Sequence, residues 1–363
     1  MAICLSMIVK DEASVIERCL RSVRPFIHAW AIVDTGSSDG TQEVIRRVLG
    51  DLPGRLAEHP WVDFSTNRNQ ALQLARGFGT YAMFIDADDT LDLVDPRVLE
   101  SLDADSYAIE FLTRGVLSCG PFLARLTLPW TWAGVLHETL ECAQVPLVEK
   151  RLPGARLLRH DDGARSRAGL PAKYARDAEL LREALRADPH NSRYVLYLGH
   201  SLREARQWPA AIEAYERRAQ MGGWAEEVYI AKLMVATLKQ HVAAPDADVV
   251  AAYLDAFHFR PQRAEAPAQL ARYHLEQGRH DLARDFARIA CSTPLPIDTL
   301  LVNTNAYGWR PWDDLAIALF ELNDMEGCAE AFRHILSDHQ LPPAERERVE
   351  KNLKRVTGRS DCR

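Results

Sequence analysis

The chain has 363 residues, 47% of them hydrophobic and 26% charged, with a formal net charge of −7. That length exceeds one ordinary core, and that composition is typical of soluble globular proteins, so two domains are expected. The acidic balance disfavours wrapping of nucleic acid, and no run approaches the ~20 apolar residues of a membrane span.

The apolar start, Met1 to Val9, lacks a basic beginning and is interrupted by Lys10-Asp11-Glu12, unlike a signal peptide. Seven scattered cysteines show no paired metal-ligand spacing and read mostly as small buried apolar residues in a reducing compartment. The expectation is a cytoplasmic protein, either free or peripheral to the inner face of a membrane.

Ile3 to Val9 reads as a buried strand, and Asp11 to Val23 as a helix with apolar residues at Val15, Ile16, Cys19, Leu20 and Val23, closed by Pro25. Ala29 to Val33 is a second strand. The turn Asp34-Thr35-Gly36-Ser37-Ser38-Asp39-Gly40-Thr41 follows, with Asp39 or Thr41 suited to cap the next helix. Strand, turn and helix twice over predict a parallel sheet with crossover helices, whose ligands lie beyond the carboxyl ends of the strands. Lys10, Glu12, Asp34 and Asp86 to Asp89 then share one rim. A helix over about Ser65 to Arg76 places Arg68 in its first turn, where a cation makes sense beside a bound anion such as a phosphate.

Tyr81 to Ile85 reads as a buried strand ending in Asp86, Asp88 and Asp89. Three acids at a strand mouth repel each other, and a divalent cation with oxygen ligands would neutralise them. In extended chain Asp86 and Asp88 point the same way and can converge on one ion. The plainer alternative is an Asp-rich turn that ends a strand.

Four stretches, Ser6 to Glu12, Ile32 to Thr41, Asn67-Arg68-Asn69 and Phe84 to Asp89, together resemble the family 2 glycosyltransferases of GT-A fold over about the first 160 residues. The resemblance implies a nucleotide-diphosphate sugar donor, by default a UDP-sugar. Asp34 and the Glu12 neighbourhood would lie near the base, Arg68 near base or phosphate, and Asp86 towards the ribose or sugar. Asp88 would hold Mn²⁺ or Mg²⁺, Mn²⁺ preferred, and Lys10 and Asp89 complete the rim candidates.

Beyond strand candidates at Ser106 to Leu112 and Phe122 to Leu128 comes Pro129-Trp130-Thr131-Trp132-Ala133-Gly134-Val135-Leu136-His137-Glu138. Tryptophans beside a His-Glu pair suit a sugar site, Trp132 being a stacking candidate; the alternative is that both tryptophans are core. Inverting transfer requires a base opposite the leaving diphosphate. Related transferases also use a late histidine as metal ligand. Residues adjacent along a strand face opposite ways, which divides the roles: Glu138 as base and His137 on the metal side. Arg156 to Leu158 is a further strand, followed by rivals for these roles: His160 for metal, Asp161 or Asp162 for base.

These features predict an α/β GT-A domain with a Rossmann-like mixed sheet over 1–165, followed by an all-α helical domain over 166–363. In the second domain Val195, Leu198, Gly199, Ala211 and Tyr215 resemble tetratricopeptide spacing. Pro267, Leu270, Ala271, Ala283 and Ala287 repeat it, as do Trp312, Leu315, Ala316, Cys328 and Phe332, with a weaker copy near Trp224. Four helical hairpins are expected after a lone helix over about Lys173 to Ala187. Such an array presents a concave face, which implies contact with a peptide, saccharide or other acceptor, or self-association as a homodimer; the plainer alternative is that it braces the transferase domain. Arg260 and Arg263, between hairpins, read as exposed. The leading expectation is a metal-dependent inverting glycosyltransferase; the alternative is a catalytically degenerate transferase acting as a repeat-mediated adaptor.

Overall fold

The structure is a computed structural model that describes residues 1–113, 115–160, 162–166, 169–339 and 341–360. It divides into two compact units, Met1–Gln207 and Trp208–Arg363.

In the first unit the strands are β1 (Ile3–Val9), β2 (Ala29–Asp34), β3 (Gly54–Glu58), β4 (Tyr81–Phe84), β5 (Asp89–Leu93), β6 (Ser106–Thr113), β7 (Val116–Arg125), β8 (Trp130–Ala133), β9 (Thr139–Cys142) and β10 (Glu149–Arg159). The main sheet runs β3-β2-β1-β4-β7-β6-β10-β5, while β8 and β9 form a separate hairpin. β3, β2, β1 and β4 are mutually parallel. β7 runs antiparallel to β4 and β6, so the sheet is mixed. The parallel register pairs Val9 with Asp34 and Ser6 with Phe84, which brings the carboxyl ends of β1, β2 and β4 to one edge.

Alternation along the strands builds two cores. Ile3, Leu5, Met7 and Val9 with Tyr81 and Met83 face one layer, against α1 (Ile16–Val23) and α2 (Thr41–Leu49). Cys4, Ala29, Ala31, Ala82 and Phe84 face the other, against α3 (Phe64–Ala75), Trp130 and Trp132. A period of two on strands and of about 3.6 on helices is what lets each element serve one layer.

Several expected bounds shift. α1 begins at Ile16, not Asp11, because Asp11 adopts φ 54° and the Glu12 carbonyl accepts the first turn's amides from Val15 and Ile16. α3 spans Phe64–Ala75 with Asp63 accepting from the Thr66 amide at 2.6 Å, which moves Arg68 into the second turn. The expected strand at Phe122 to Leu128 is β7 and begins earlier, at Val116. The first unit also runs past residue 165. It takes in α4 (Leu170–Ala187) and α5 (Ser192–Glu204), which pack on each other.

The second unit contains α6 (Trp208–Gln220), α7 (Ala225–His241), α8 (Asp246–Phe259), α9 (Glu265–Glu276), α10 (His280–Ser292), α11 (Trp309–Glu321), α12 (Met325–Ser337) and α13 (Pro343–Ser360). Buried small residues at Ala271, Ala283, Ala287, Ala316 and Cys328 let neighbouring helices approach. No described helix is long and apolar enough to cross a membrane.

Arg260 and Arg263 are not exposed. Arg263 is fully buried, donating to Glu265 at 2.7 Å, to Asp298 at 3.0 Å and to the Leu301 carbonyl at 3.2 Å, while its guanidinium lies 4.7 Å from the Tyr229 ring. Arg260 pairs with the same Asp298. The acids that neutralise them come partly from residues 294–310, so this network pins the long connector before α11. Removing one partner of a buried ion network strands the others, so Arg263→Ala is expected to cost about 3–5 kcal/mol. Urea denaturation of the full chain measures it, and a loss below about 1 kcal/mol contradicts the network's role.

Candidate functional site

Two loops at the carboxyl edge of the sheet are tied to each other. The Asp11 carboxylate accepts from the Ser38 amide at 2.8 Å, the Glu12 amide donates to Thr41 Oγ1 at 2.8 Å, and Asp39 accepts from the Ala13 amide at 3.0 Å. Asp39 therefore clamps the two loops together and also accepts from the Thr41 amide at the start of α2, at 3.1 Å, with Gly40 at φ 94° between them. Asp34 is fully buried at the end of β2. Its Oδ1 accepts from the amides of Gly36 and Ser37, but Oδ2 is buried with no hydrogen-bond partner. A buried acceptor left open is costly unless something donates to it. Lys10 follows β1 and is exposed.

Arg68 joins three elements. Its Nη2 lies 2.6 Å from Asp86 Oδ1, its Nε 3.4 Å from Glu138 Oε2, and its guanidinium 5.3 Å from the Trp132 ring. The Nε contact is not a hydrogen bond, so this buried N–H is left without one. Desolvation raises the Asp86 carboxyl, but the charge and hydrogen bond of Arg68 outweigh it and hold Asp86 below its ordinary value. Glu138 goes the other way. Burial raises it, Arg68 offsets this only in part, and Asp86 adds to the rise.

The neighbours of Arg68 in sequence hold this arrangement. Asn67 is fully buried and ties down the preceding loop through the Val62 amide and the Pro60 carbonyl. The Asn69 amide group bonds both the N–H and the C=O of Trp132, at 2.7 and 2.8 Å, and so clips the β8–β9 hairpin to α3. Trp132 is core: its ring is buried, edge-on to Phe84 at 5.0 Å, and Trp130 is buried beside it. It forms the wall behind Arg68 and offers no exposed stacking face.

The acidic run departs from the extended geometry expected. β4 stops at Phe84, and Asp86 to Asp89 form a turn closed by the Asp89 amide donating to the Asp86 carbonyl at 3.1 Å. Asp89 begins β5, buried, with Arg159 at 3.8 Å. Asp88 is half-buried and, among the described residues, has no lysine or arginine ion pair. Burial first, and then the charge of Asp86, hold its carboxyl above its ordinary value despite the backbone amides of Asp88 and Gly163. Gly163 approaches so closely that an added Cβ would lie 2.7 Å from Asp88 Oδ2. The next residue's amide, that of Ala164, donates to the Glu12 carboxylate at 3.0 Å, and Arg18 forms a two-pronged pair with Asp162 at 2.7 and 3.0 Å. His160 hydrogen-bonds Thr90 at 2.9 Å, and Asp161 lies outside the described residues.

A divalent cation fits Asp88, a carboxylate whose negative charge is unfavourable as it stands. Among the described residues no three His, Cys, Asp or Glu side chains gather as a ligand set. A cation there would need ligand oxygens from outside the protein, the usual arrangement where phosphates complete the coordination.

His137 and Glu138 lie in the loop of the β8–β9 hairpin and not on a strand. They still face different partners, because His137 adopts φ 54° and not because of strand alternation. The His137 imidazole stacks on Tyr197 of α5, with centroids 3.8 Å apart and planes at 11°. Desolvation by that packing, with the charges of Arg193, Arg159, Arg165 and Lys173, holds it below its ordinary value, an effect that the residue's exposure to solvent weakens.

Residues 4–162 match the profile described as Glycosyl transferase family 2. This stretch is similar to the family 2 glycosyltransferases. The glycosyltransferase SunS of Bacillus subtilis is similar to this chain at 27% identity over 207 residues, 54% of this chain and 48% of SunS. A TPR repeat-containing protein of Synechococcus elongatus is 38% identical over 90 residues, 24% of this chain and 21% of that protein. The chain thus spans 48% of the one relative and 21% of the other. Among solved structures, S. aureus TarS in complex with UDP-GlcNAc has a TM-score of 0.37 and 13% identity over 72% of this chain and 93% of that chain. The helices that follow the family 2 match are tetratricopeptide-like.

Arg18, Arg165 and the α5 residues Arg193, Tyr194 and Tyr197 were not read from sequence as part of this region, being ordinary helix or loop residues until folded. Asn69 was read only as part of the Asn-Arg-Asn triplet, without its role of clipping the hairpin. Asn69→Ala should release the hairpin at a cost of about 1–3 kcal/mol, since it orphans two backbone groups of Trp132. Faster amide exchange in Trp130 to Cys142 would show it, and unchanged protection would contradict it.

Proposed function

We propose that the chain is an inverting glycosyltransferase that moves a sugar from a nucleotide-diphosphate donor, a UDP-sugar, to an acceptor bound by the tetratricopeptide-like helices. The observation that carries the reading is the gathering, at one sheet edge, of an open buried acceptor (Asp34 Oδ2) and an uncompensated carboxylate (Asp88). A nucleotide-sugar answers both, with a base N–H and a diphosphate carrying a cation.

In this reading Asp34 and the Glu12 loop receive the base, Lys10 adds positive charge at the open edge, and Arg68 with Asp86 orients the ribose or sugar. Asp88 would hold Mn²⁺ or Mg²⁺, which supplies charge neutralisation to the departing diphosphate. Glu138 accepts the proton of the acceptor hydroxyl as that oxygen bonds to the anomeric carbon. The bond from that carbon to the diphosphate oxygen breaks, and the nucleotide diphosphate leaves with its electron pair. Glu138 suits the role because it is mostly buried and more basic than an ordinary carboxylate. His137, occupied by Tyr197, is assigned to shaping the loop.

Glu138→Gln should lower turnover of UDP-glucose by about 10²-fold or more while leaving donor binding intact. Because the base acts as the anion and its pKa is raised, the wild-type rate should fall as pH drops through a value above the usual carboxylate range, and this limb should vanish in the variant. Retained turnover in Glu138→Gln contradicts the assignment. Asp88→Ala should abolish the dependence of donor binding on Mn²⁺, read by calorimetry, and an unchanged dependence contradicts its role.

A further inference from the structure

The loop that carries Glu138 is held from outside the family 2 match, by one face of α5. Tyr194 accepts the Val135 amide through its hydroxyl at 3.2 Å. Arg193 donates from Nε to the His137 carbonyl at 3.2 Å and lays its guanidinium 5.1 Å from the Tyr197 ring. Tyr197 in turn stacks on His137, with centroids 3.8 Å apart. Three side chains within five positions, on adjoining turns of one helix, thus engage consecutive parts of a loop whose His137 sits at φ 54°. A non-glycine residue in that region costs free energy and persists only where its surroundings over-determine it. Those surroundings are α5, and the residue directly after the strained one is Glu138. On the other side of Glu138 the Arg68 Nε lies 3.4 Å from its carboxylate.

We propose that Arg193, Tyr194 and Tyr197 are positioning residues for Glu138, so that α5, a helix with the sequence pattern of a tetratricopeptide repeat, completes the transferase active site. The inference rests on the glycosyltransferase reading above. It assigns these residues no contact with donor or acceptor. They act by keeping Glu138 within reach of the acceptor proton, where a displacement of about 1 Å is enough to cost ~10²-fold in rate.

The test uses the full chain with UDP-glucose and Mn²⁺, following UDP release with water or an added saccharide as acceptor and measuring donor affinity separately by calorimetry. Tyr197→Ala is expected to lower kcat at least about 10-fold with donor affinity within about twofold of wild type, and Tyr197→Phe, which keeps the stacking face, to restore most of kcat. Tyr194→Phe removes one hydroxyl only, remains informative should Tyr197→Ala fold poorly, and is expected to lower kcat about threefold or more at unchanged donor affinity. Wild-type kcat in both Tyr197→Ala and Tyr194→Phe overturns the inference alone, as does an equal loss of donor affinity and kcat. A wild-type chain that neither binds nor turns over the donor removes the glycosyltransferase reading and this inference with it.

Discussion

One guanidinium, that of Arg68, is the charge around which the rim is arranged. It reaches Asp86 at 2.6 Å and Glu138 at 3.4 Å while resting against Trp132. Sharing one cation unequally between two acids separates them chemically: the nearer is held as an anion, while the farther, whose side chain is the less exposed (9% against 47%), is held above its ordinary value. Environments that push two carboxyls apart in this way set up an acid-base division of labour. The same cation anchors α3, the turn after β4 and the β8–β9 hairpin at one point, so three elements distant in sequence share a register.

Positive charge on this edge is local, against a chain of net charge −7. Arg159 and Arg165 act on both Asp86 and His137, and Lys173 and Arg193 on His137. Part of that charge is already paired, Arg159 with Asp89, Arg165 with Asp177 and Arg68 with Asp86.

The sheet was legible because its strands are apolar runs bounded by turn residues, and the rim because parallel strands carry their carboxyl ends to one edge. Ile3 to Val9, which is β1 with the bounds expected, illustrates how far periodicity reaches. What periodicity could not supply was the local geometry after each element. The spacing of Asp86 and Asp88 says nothing of a turn that breaks the strand at Phe84, and alternation misplaced His137 and Glu138 because Gly134 and His137 bend the chain into a hairpin loop. Trp132 read as a sugar platform because composition does not show which face of a hairpin is covered. Arg263 read as exposed because its partner Asp298 lies 35 residues away.

A structure of the full chain with UDP-glucose and Mn²⁺ tests the central claim most directly. The account predicts the base against Asp34, the diphosphate and ion at Asp88, and the anomeric carbon turned towards Glu138 with Arg68 still between Asp86 and Glu138. Donor bound away from this edge, or bound here with Glu138 on the side of the leaving diphosphate, would contradict it.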